Sequence, residues 1–404
     1  MIITILNIIA HNFYNVKEMT RNKMKICGII CEYNPFHNGH LYQLQEAKKR
    51  SGADAVLCIM SGNFVQRGEA AVVDKCTRAK HAVLGGADAV IELPTVFATS
   101  NAELFAKGAI SILSSIPEVT ALCFGAENAN PADFLQTARL MNSEPAAVSA
   151  AIKAYTAEGL SYAKARAKAW KEIVDVDLLS TPNNILGVEY TRAILQSNAN
   201  IEILPIQRVG SGYHDTDLDG EFASATAIRA GLQSNTTLSN VLPDFVQNDL
   251  PKQLPQGLDV LEKYALLASE TKKIARVCDC TEGLENAFKK AANQSAPLVD
   301  TLTSARYTSS RIRRIALQNL LNIEEHFIRV CLQSPLYLRV LAVKKERSDL
   351  LTALSKSAYP TIIRAHDENG LSGIAKQAYE QDIFAENVYT LLQDTQNKRN
   401  IFIP

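Results

Sequence analysis

Two histidines bracket a glycine in His37-Asn38-Gly39-His40, after an apolar run and a proline turn and at the opening of a helical stretch. Gly39 lets a phosphate approach the backbone closely. The free N–H groups and dipole of a first helical turn already favour an anion. Imidazoles projecting from that turn can donate hydrogen bonds to phosphate oxygens and stabilise charge that builds up in nucleotidyl transfer. Four residues form a short pattern that recurs by chance, and the strand–turn–helix setting is what makes it specific. Without that setting the pair would be surface histidines at a helix start. A second group, Ser224 and Thr226 with Arg229 one turn on, also stands where a helix begins. Its hydroxyls can cap the helix or donate to phosphate, and Arg229 can neutralise pyrophosphate.

Elements able to position these groups are readable from apolar periodicity. Lys25–Cys31, Ala55–Met60, Ala89–Leu93, Ala121–Phe124 and Asn200–Arg208 have strand character. Between the first four lie helical stretches at His40–Arg50, Asp74–Leu84 and Asn101–Ser114, the second stopped by Gly85-Gly86. This alternation predicts an α/β fold with βαβ units and a parallel sheet. Ser61–Glu69 reads as a loop, and residues 145–173 as helical. A proline-bearing stretch (Pro243, Pro251, Pro255) then leads into helical segments. The chain accordingly divides into a leader 1–23, an α/β domain 24–235, a linker 236–259 and a helical domain 260–404.

The 404 residues suffice for two or three domains, and their composition is ordinary for globular protein. Equal counts of basic and acidic residues, 42 each, exclude a globally basic nucleic-acid binder but leave room for a local basic face. Eight cysteines without a C-x-x-C pair predict reduced thiols in a cytoplasmic protein, and the lone Cys278/Cys280 pair is read as incidental. No apolar stretch has the length of a membrane helix, so no membrane partner is expected. The opening Met1–Ala10 is apolar but short and has no basic region before it, so folding is expected to begin at Met24.

The run Cys31-Glu-Tyr-Asn-Pro-Phe-His-Asn-Gly-His-Leu-Tyr42 resembles the ATP-binding signature of the H-x-G-H nucleotidyltransferases. More closely, the chain is similar to the bacterial tRNA(Met) cytidine acetate ligase family. Ser61–Glu69, Gly86–Pro94, Phe124–Glu127, Pro182–Gly187, Gly212–Asp215, Ser224–Arg229 and Leu336–Leu341 carry the likeness from Met24 nearly to the C-terminus. The resemblance implies a Rossmann-like core. It also implies ATP and acetate as substrates, and acetylation of the wobble cytidine of elongator tRNA(Met) through an acetyl-adenylate. It places Ile30, Cys31, Glu32, Tyr33, Asn34, Pro35 and Phe36 in an ATP loop, and His37, Asn38, Gly39, His40, Leu41, Tyr42 and Gln43 at the following helix start. Gly125, Asn183 or Asn184, Arg208, Ser224 and Thr226 would complete the nucleotide site, with His37, His40 and Arg229 as the catalytic groups. For the asparagines a helix cap after Pro182 remains the alternative.

The chain departs from its relatives in places. Glu32 stands where most of the superfamily has a small hydroxyl residue, and it is read as a Mg²⁺ contact or a carboxylate hydrogen-bonded at the strand end. Ala71 and Cys76 replace a usual proline and tryptophan, which bears on local packing. Arg67, Asp74 and Arg78 could contact acetate or tRNA, or form surface ion pairs. Between Thr301 and Arg347, nine basic side chains face three acidic ones, with Tyr307, His326 and Tyr337 interleaved. The resemblance turns that excess, Arg311, Arg313 and Arg314 included, into an expected tRNA-binding surface, whereas charge runs in general are solvated faces. Two other functions stand beside this one: an adenylyltransferase acting on a small phosphorylated acceptor, which uses the same histidines, and an ATP-sensing RNA-binding protein without catalysis, against which the intact His37/His40 pair argues.

Overall fold

The computed structural model describes residues 24–393 except 144, 175–176, 209–220, 235 and 252. The expected leader and the Gly212–Asp215 block lie outside the described residues. Helices of eight or more residues are numbered below, with shorter ones given by range.

Strands β1 (Ile26–Cys31), β2 (Ala55–Ser61) and β5 (Ala89–Leu93) are buried along their whole length. That is why they read as unbroken apolar runs rather than alternating ones. Ile26 and Ile30 enter one core, while Cys27, Ile29 and Cys31 enter another on the opposite face. With β6 (Val119–Ala126), β7 (Glu202–Gln207), β8 (Leu338–Val343) and β9 (Thr361–Ile362) they form a sheet ordered β7-β6-β1-β2-β5-β8-β9. The first five in that order run parallel, and β8 is antiparallel to β5.

One face carries α1 (Asn38–Ser51) and α2 (Lys75–Leu84), the other α3 (Ala102–Ser114). Gly52 ends α1 in the left-handed conformation, φ +57°, and Asp74 and Asn101 cap α2 and α3 with their side chains. Leu113 of α3 lies so close to β1 that a Cβ on Gly28 would stand 2.8 Å from it. Next come α4 (Pro131–Ser143), α5 (Ala146–Ala157), α6 (Tyr162–Lys171), α7 (Pro182–Ser197) and α8 (Ala225–Gln233). The expected helical stretch 145–173 is thus two helices, broken at Gly159, φ +95°. The Ser61–Glu69 segment is not a plain loop but holds a hairpin, β3 (Phe64–Val65) with β4 (Glu69–Ala70).

The second half contains α9 (Leu258–Ala268), α10 (Leu284–Ala291), α11 (Ser309–Leu320), α12 (Glu325–Leu332) and α13 (Gly373–Thr390). Leu266, Ile274, Phe288, Ile312 and Ile315 give the helices from α9 to α11 a small core of their own. The chain is not divided as the sequence suggests, however. β8 covers the edge of β5, and the stretch expected as a linker sends Leu238, Val241, Leu242 and Val246 into the α1–α2 core. An edge strand as apolar as β5 needs a partner, and the closest one available comes from beyond residue 330.

Helix α13 is tied to this sheet by buried charge. Lys75 bonds Glu92 at 2.6 Å and also Glu386, and Arg339 of β8 bonds Glu92 at 3.1 Å and Glu386 at 2.5 Å. Beside them Asp382 accepts from Tyr337 Oη at 2.5 Å and from Thr95 N at 2.7 Å. Removing one member of a buried ion network leaves another uncompensated. Glu386→Ala should therefore lower the unfolding free energy by about 3–5 kcal/mol in urea titration, a loss no surface glutamate would give.

Candidate functional site

In this sheet β1, β2 and β5 progress one way, and the chain then returns to the other side of β1 to lay down β6 and β7. Open parallel sheets bind ligands where the order reverses, outside the carboxyl ends of the two strands. Here those ends are Cys31 and Ala126, and the loop leaving β1 leads straight to His37. The expected histidines therefore stand at the one crevice that the topology creates for a ligand.

Their geometry fixes their chemistry. His37 is the N-cap of α1: its Nδ1 accepts from Gly39 N at 3.1 Å, while Nδ1 of His40 accepts from His37 N at 3.3 Å. The rings stack at 3.7 Å between centroids. With both Nδ1 atoms accepting, the proton of each neutral ring sits on Nε2, which remains as the donor. Burial, then the charges of Arg208 and Arg229, pushes His37 down to about 3. Burial, then His37 and Arg208, holds His40 well below the usual range. Both rings are neutral donors at physiological pH. Tyr33, which leads into the motif at φ +49°, lies against His40 at 4.7 Å between rings.

Around the pair, Tyr42, Gln43, Gly125, Arg208 and Phe222 line one cavity. Gly125 lies beside Arg208 there, and a Cβ on it would stand 3.7 Å from that side chain, an ordinary contact. On the other side is a cluster of charge. Arg229 donates to Asn34 O at 3.0 Å and to Thr226 Oγ1 at 3.4 Å, and its Nε is 4.0 Å from Glu69. Arg67 reaches the same Thr226 hydroxyl at 3.5 Å, and Arg313 of α11 pairs with Glu69 at 3.0 Å. Arg67 and Glu69 sit on the β3–β4 hairpin; the sequence left Arg67 open between a contact to acetate or tRNA and a surface ion pair and assigned Glu69 no role, because nothing local shows the hairpin folding over Thr226.

Other expected site residues are positioning groups by their contacts. Ile30, Tyr33 and Phe36 are buried in the cores, and Cys31 is 9% exposed. Asn34 accepts from Val72 N, and Asn38 Nδ2 holds the carbonyls of Glu221 and Asn240, binding α1 to the chain around α8. Pro35 and Leu41 flank the histidines within the same turn and helix start. Ser224 is buried and caps α8 through Ala227 N, as its alternative reading had it. Neither asparagine lines the histidine cavity. Asn183 donates to Glu127, and buried Asn184 accepts from Glu127 N and Asn128 N, so the two clamp the turn after β6 onto α7.

Two expectations are corrected. Arg78 is fully buried and donates to the carbonyls of Val73, Glu32, Ser61 and Gly62, so it is neither a surface ion pair nor a substrate contact. Glu32 accepts from Gln66 N at 2.6 Å amid Arg67, Arg229 and Arg78, with burial the larger influence, raising its carboxyl above the ordinary value. Three guanidinium groups repel a cation, so these surroundings do not fit Glu32 as a metal ligand. Among the described residues no group of three or more acidic, histidine or cysteine side chains could hold a metal, and all eight cysteines are free thiols.

Of the basic residues expected to meet RNA, Arg311 holds Asp279 O and Thr281, and Arg314 reaches Asp279 at 3.4 Å. Only Arg313, a third exposed, points toward the nucleotide crevice. The described residues contain no helix long and apolar enough to cross a membrane.

The His37 cap makes a pH-dependent prediction. Below pH 6.5 the unfolded chain takes up a proton that native His37 refuses down to about 3. Stability should fall as pH drops through that window, by about 1.4 kcal/mol per pH unit for this group. His37→Asn, which keeps a capping acceptor, should show a shallower fall between pH 6.5 and 5 in urea titrations.

The comparisons agree with this geometry. The family model HIGH Nucleotidyl Transferase matches residues 24–401. A tRNA(Met) cytidine acetate ligase of Thermoanaerobacter sp. (strain X514) is 38% identical over 386 residues, covering 91% of this chain and 95% of the relative. The corresponding ligase of Clostridium perfringens is 35% identical over 390 residues, covering 91% and 96%. A crystal structure of Thermotoga maritima TmcAL bound with alpha-thio ATP matches with a TM-score of 0.81 at 30% identity, over 91% of this chain and 95% of that one. An apo form of the same protein gives 0.82. With the histidine pair at the sheet's switch point and relatives matched over nearly their whole length, this chain belongs to the HIGH nucleotidyl transferase family and, within it, to the tRNA(Met) cytidine acetate ligases.

Proposed function

We propose that this protein activates acetate with ATP as acetyl-adenylate and acetylates the exocyclic amine of the wobble cytidine in elongator tRNA(Met), acting in the cytoplasm. The observation that carries the reading is the pair of stacked, neutral imidazoles whose Nε2–H donors remain at the switch-point crevice, beside Arg208 and Arg229. An acetate oxygen attacks the α-phosphorus and pyrophosphate leaves. The amine of cytidine then attacks the acyl carbon and AMP leaves. No covalent nucleophile of the protein is required, because positioning and charge stabilisation supply most of such a rate enhancement. His37 and His40 donate to phosphoryl oxygens, and Arg229, with Arg67 on the same hydroxyl, offsets the charge of the departing pyrophosphate. Mg²⁺ belongs to the reaction as the counter-ion of the triphosphate substrate. The relatives named as tRNA(Met) cytidine acetate ligases, and the neighbour bound with alpha-thio ATP, support the choice of substrates. Arg313 is the residue proposed to meet tRNA nearest the nucleotide, with Arg311 and Arg314 holding the Asp279–Thr281 turn beneath the same helix.

Protein incubated with ATP, labelled acetate and tRNA should place label in the RNA and release AMP and pyrophosphate. ATP cleavage with no label in RNA would reject the acceptor. His40→Ala should cost about 2–4 kcal/mol of transition-state stabilisation in acetate-dependent ATP–pyrophosphate exchange, the range for losing one preorganised donor. Arg313→Glu should impair both tRNA binding and that exchange, since its guanidinium shares Glu69 with Arg229.

A further inference from the structure

A second cleft, of about 480 Å³, opens between α5–α7 and the helical unit that carries α11. It shares no lining residue with the histidine cavity. Its volume falls in the range of small-molecule sites. Its floor is apolar, formed by Met141, Ile152 and Trp170, the chain's single tryptophan, all at least nine-tenths buried. At the rim stands Tyr162, the first residue of α6, 57% exposed. A shallower hollow continues from it past Thr156 to Lys153 and Arg306.

Five arginines line the cleft against three acids. Most are held in place from behind. Glu189 takes Arg166 at 2.7 Å and Arg192 at 2.6 Å, and Glu282 grips Arg306 with both oxygens. Arg314 differs: among the described residues its hydrogen bonding is one long contact of 3.4 Å to Asp279, and its buried Nε has no acceptor. Buried donors without a partner are uncommon in folded proteins and call for an explanation. A compact anion would use the arginines but has no need of the apolar floor. An apolar ligand would use the floor but leave the guanidinium groups unmatched. A nucleotide meets both demands, with a π-face for an exposed ring and a phosphate for the cations.

We propose that this cleft receives an unpaired nucleotide of the RNA substrate, distinct from the base that is modified. The base lies against Tyr162 and over the Ile152–Trp170 floor, one phosphate reaches Arg314 in the cleft wall, and the next meets Lys153 in the adjoining hollow. The inference rests on RNA being the substrate. Neighbouring arginines of α11 link the two places: Arg313 reaches Glu69 beside the nucleotide crevice, while Arg314 lines the cleft. One strand of RNA can thereby be held at two points while its target base enters the crevice.

The test uses exposed positions on the intact protein, with tRNA binding measured against salt and acetate-dependent ATP–pyrophosphate exchange measured beside it. Tyr162→Ala should weaken tRNA binding about tenfold, as expected for loss of a stacking ring, and Tyr162→Phe should retain it. Lys153→Ala should reduce the slope of log affinity against log salt by about 0.7. Exchange should be unchanged in all three. Unaltered binding by Tyr162→Ala overturns the proposal, as does a parallel loss of exchange, which would make the residue structural. A wild-type protein that binds tRNA without acetylating it, and whose Tyr162→Ala variant loses that binding, would sink the ligase reading and leave the cleft standing. The reverse pattern, acetylation by a Tyr162→Ala variant with wild-type affinity, sinks only the cleft.

Discussion

Arg78 spends its hydrogen bonds on carbonyls, and the geometry of the crevice follows from that. Its fully buried guanidinium ties together Glu32 O after β1, Ser61 O at the end of β2 with Gly62 O just beyond it, and Val73 O before α2. Desolvation opposes burying a charge, and here burial is the main influence lowering its pKa. Carbonyl dipoles at two adjacent strand ends offset that penalty only if they converge on one planar fork, a geometry that lysine does not offer. The histidine loop and the β3–β4 hairpin leave those same strand ends. Their separation is thus set before any ligand arrives.

The crevice that results works with neutral donors and fixed cations. Each imidazole uses Nδ1 to complete the first turn of α1, so the capping geometry that starts the helix also selects the Nε2–H tautomer. Charging either ring would place a further cation in a buried space beside Arg208. Glu32 and Glu69 temper the arginines on the other side, Glu32 while holding the backbone N–H of Gln66 and Glu69 while pairing with Arg313. The electrostatics favour the accumulation of negative charge on a phosphoryl group.

The C-terminal half is part of this construction rather than an appendage. Tyr389 of α13 donates to Ala71 O at 2.8 Å, and the Lys75–Glu92–Glu386–Arg339 network joins α2, β5, β8 and α13. Within that environment burial, then the charge of Glu92, pushes the Asp382 carboxyl up to about 7. At the hairpin tip, Gly68 lies so close to the backbone of Arg313 and Arg314 that a Cβ would stand 2.5 Å from it. The basic helix and the nucleotide crevice are therefore in direct mechanical contact.

Local patterns settled a large part of this. Strand β1, its turn and the His37–His40 helix start were legible because an apolar run of strand length, a proline turn and a glycine-bearing cap each act within a few residues. The parallel sheet followed from the same alternation. What the sequence could not show were arrangements whose partners lie far apart along the chain. Leu336–Leu341 stood out as a block, but only the sheet shows that its residues form β8 against β5, some 250 positions earlier. Arg78 looked like a surface cation because its four acceptors are backbone atoms, which have no residue type to read. Asn183 and Asn184 sat beside a helix start as site residues would. The tertiary structure turned them toward Glu127, a partner decided by how α7 packs beneath β6. Arg311, Arg313 and Arg314 formed one charge run in the sequence. On α11 they divide between two environments, because successive positions on a helix point about 100° apart: Arg313 turns to the hairpin, while Arg311 and Arg314, three positions apart and so on one face, both reach the Asp279 turn and line the cleft.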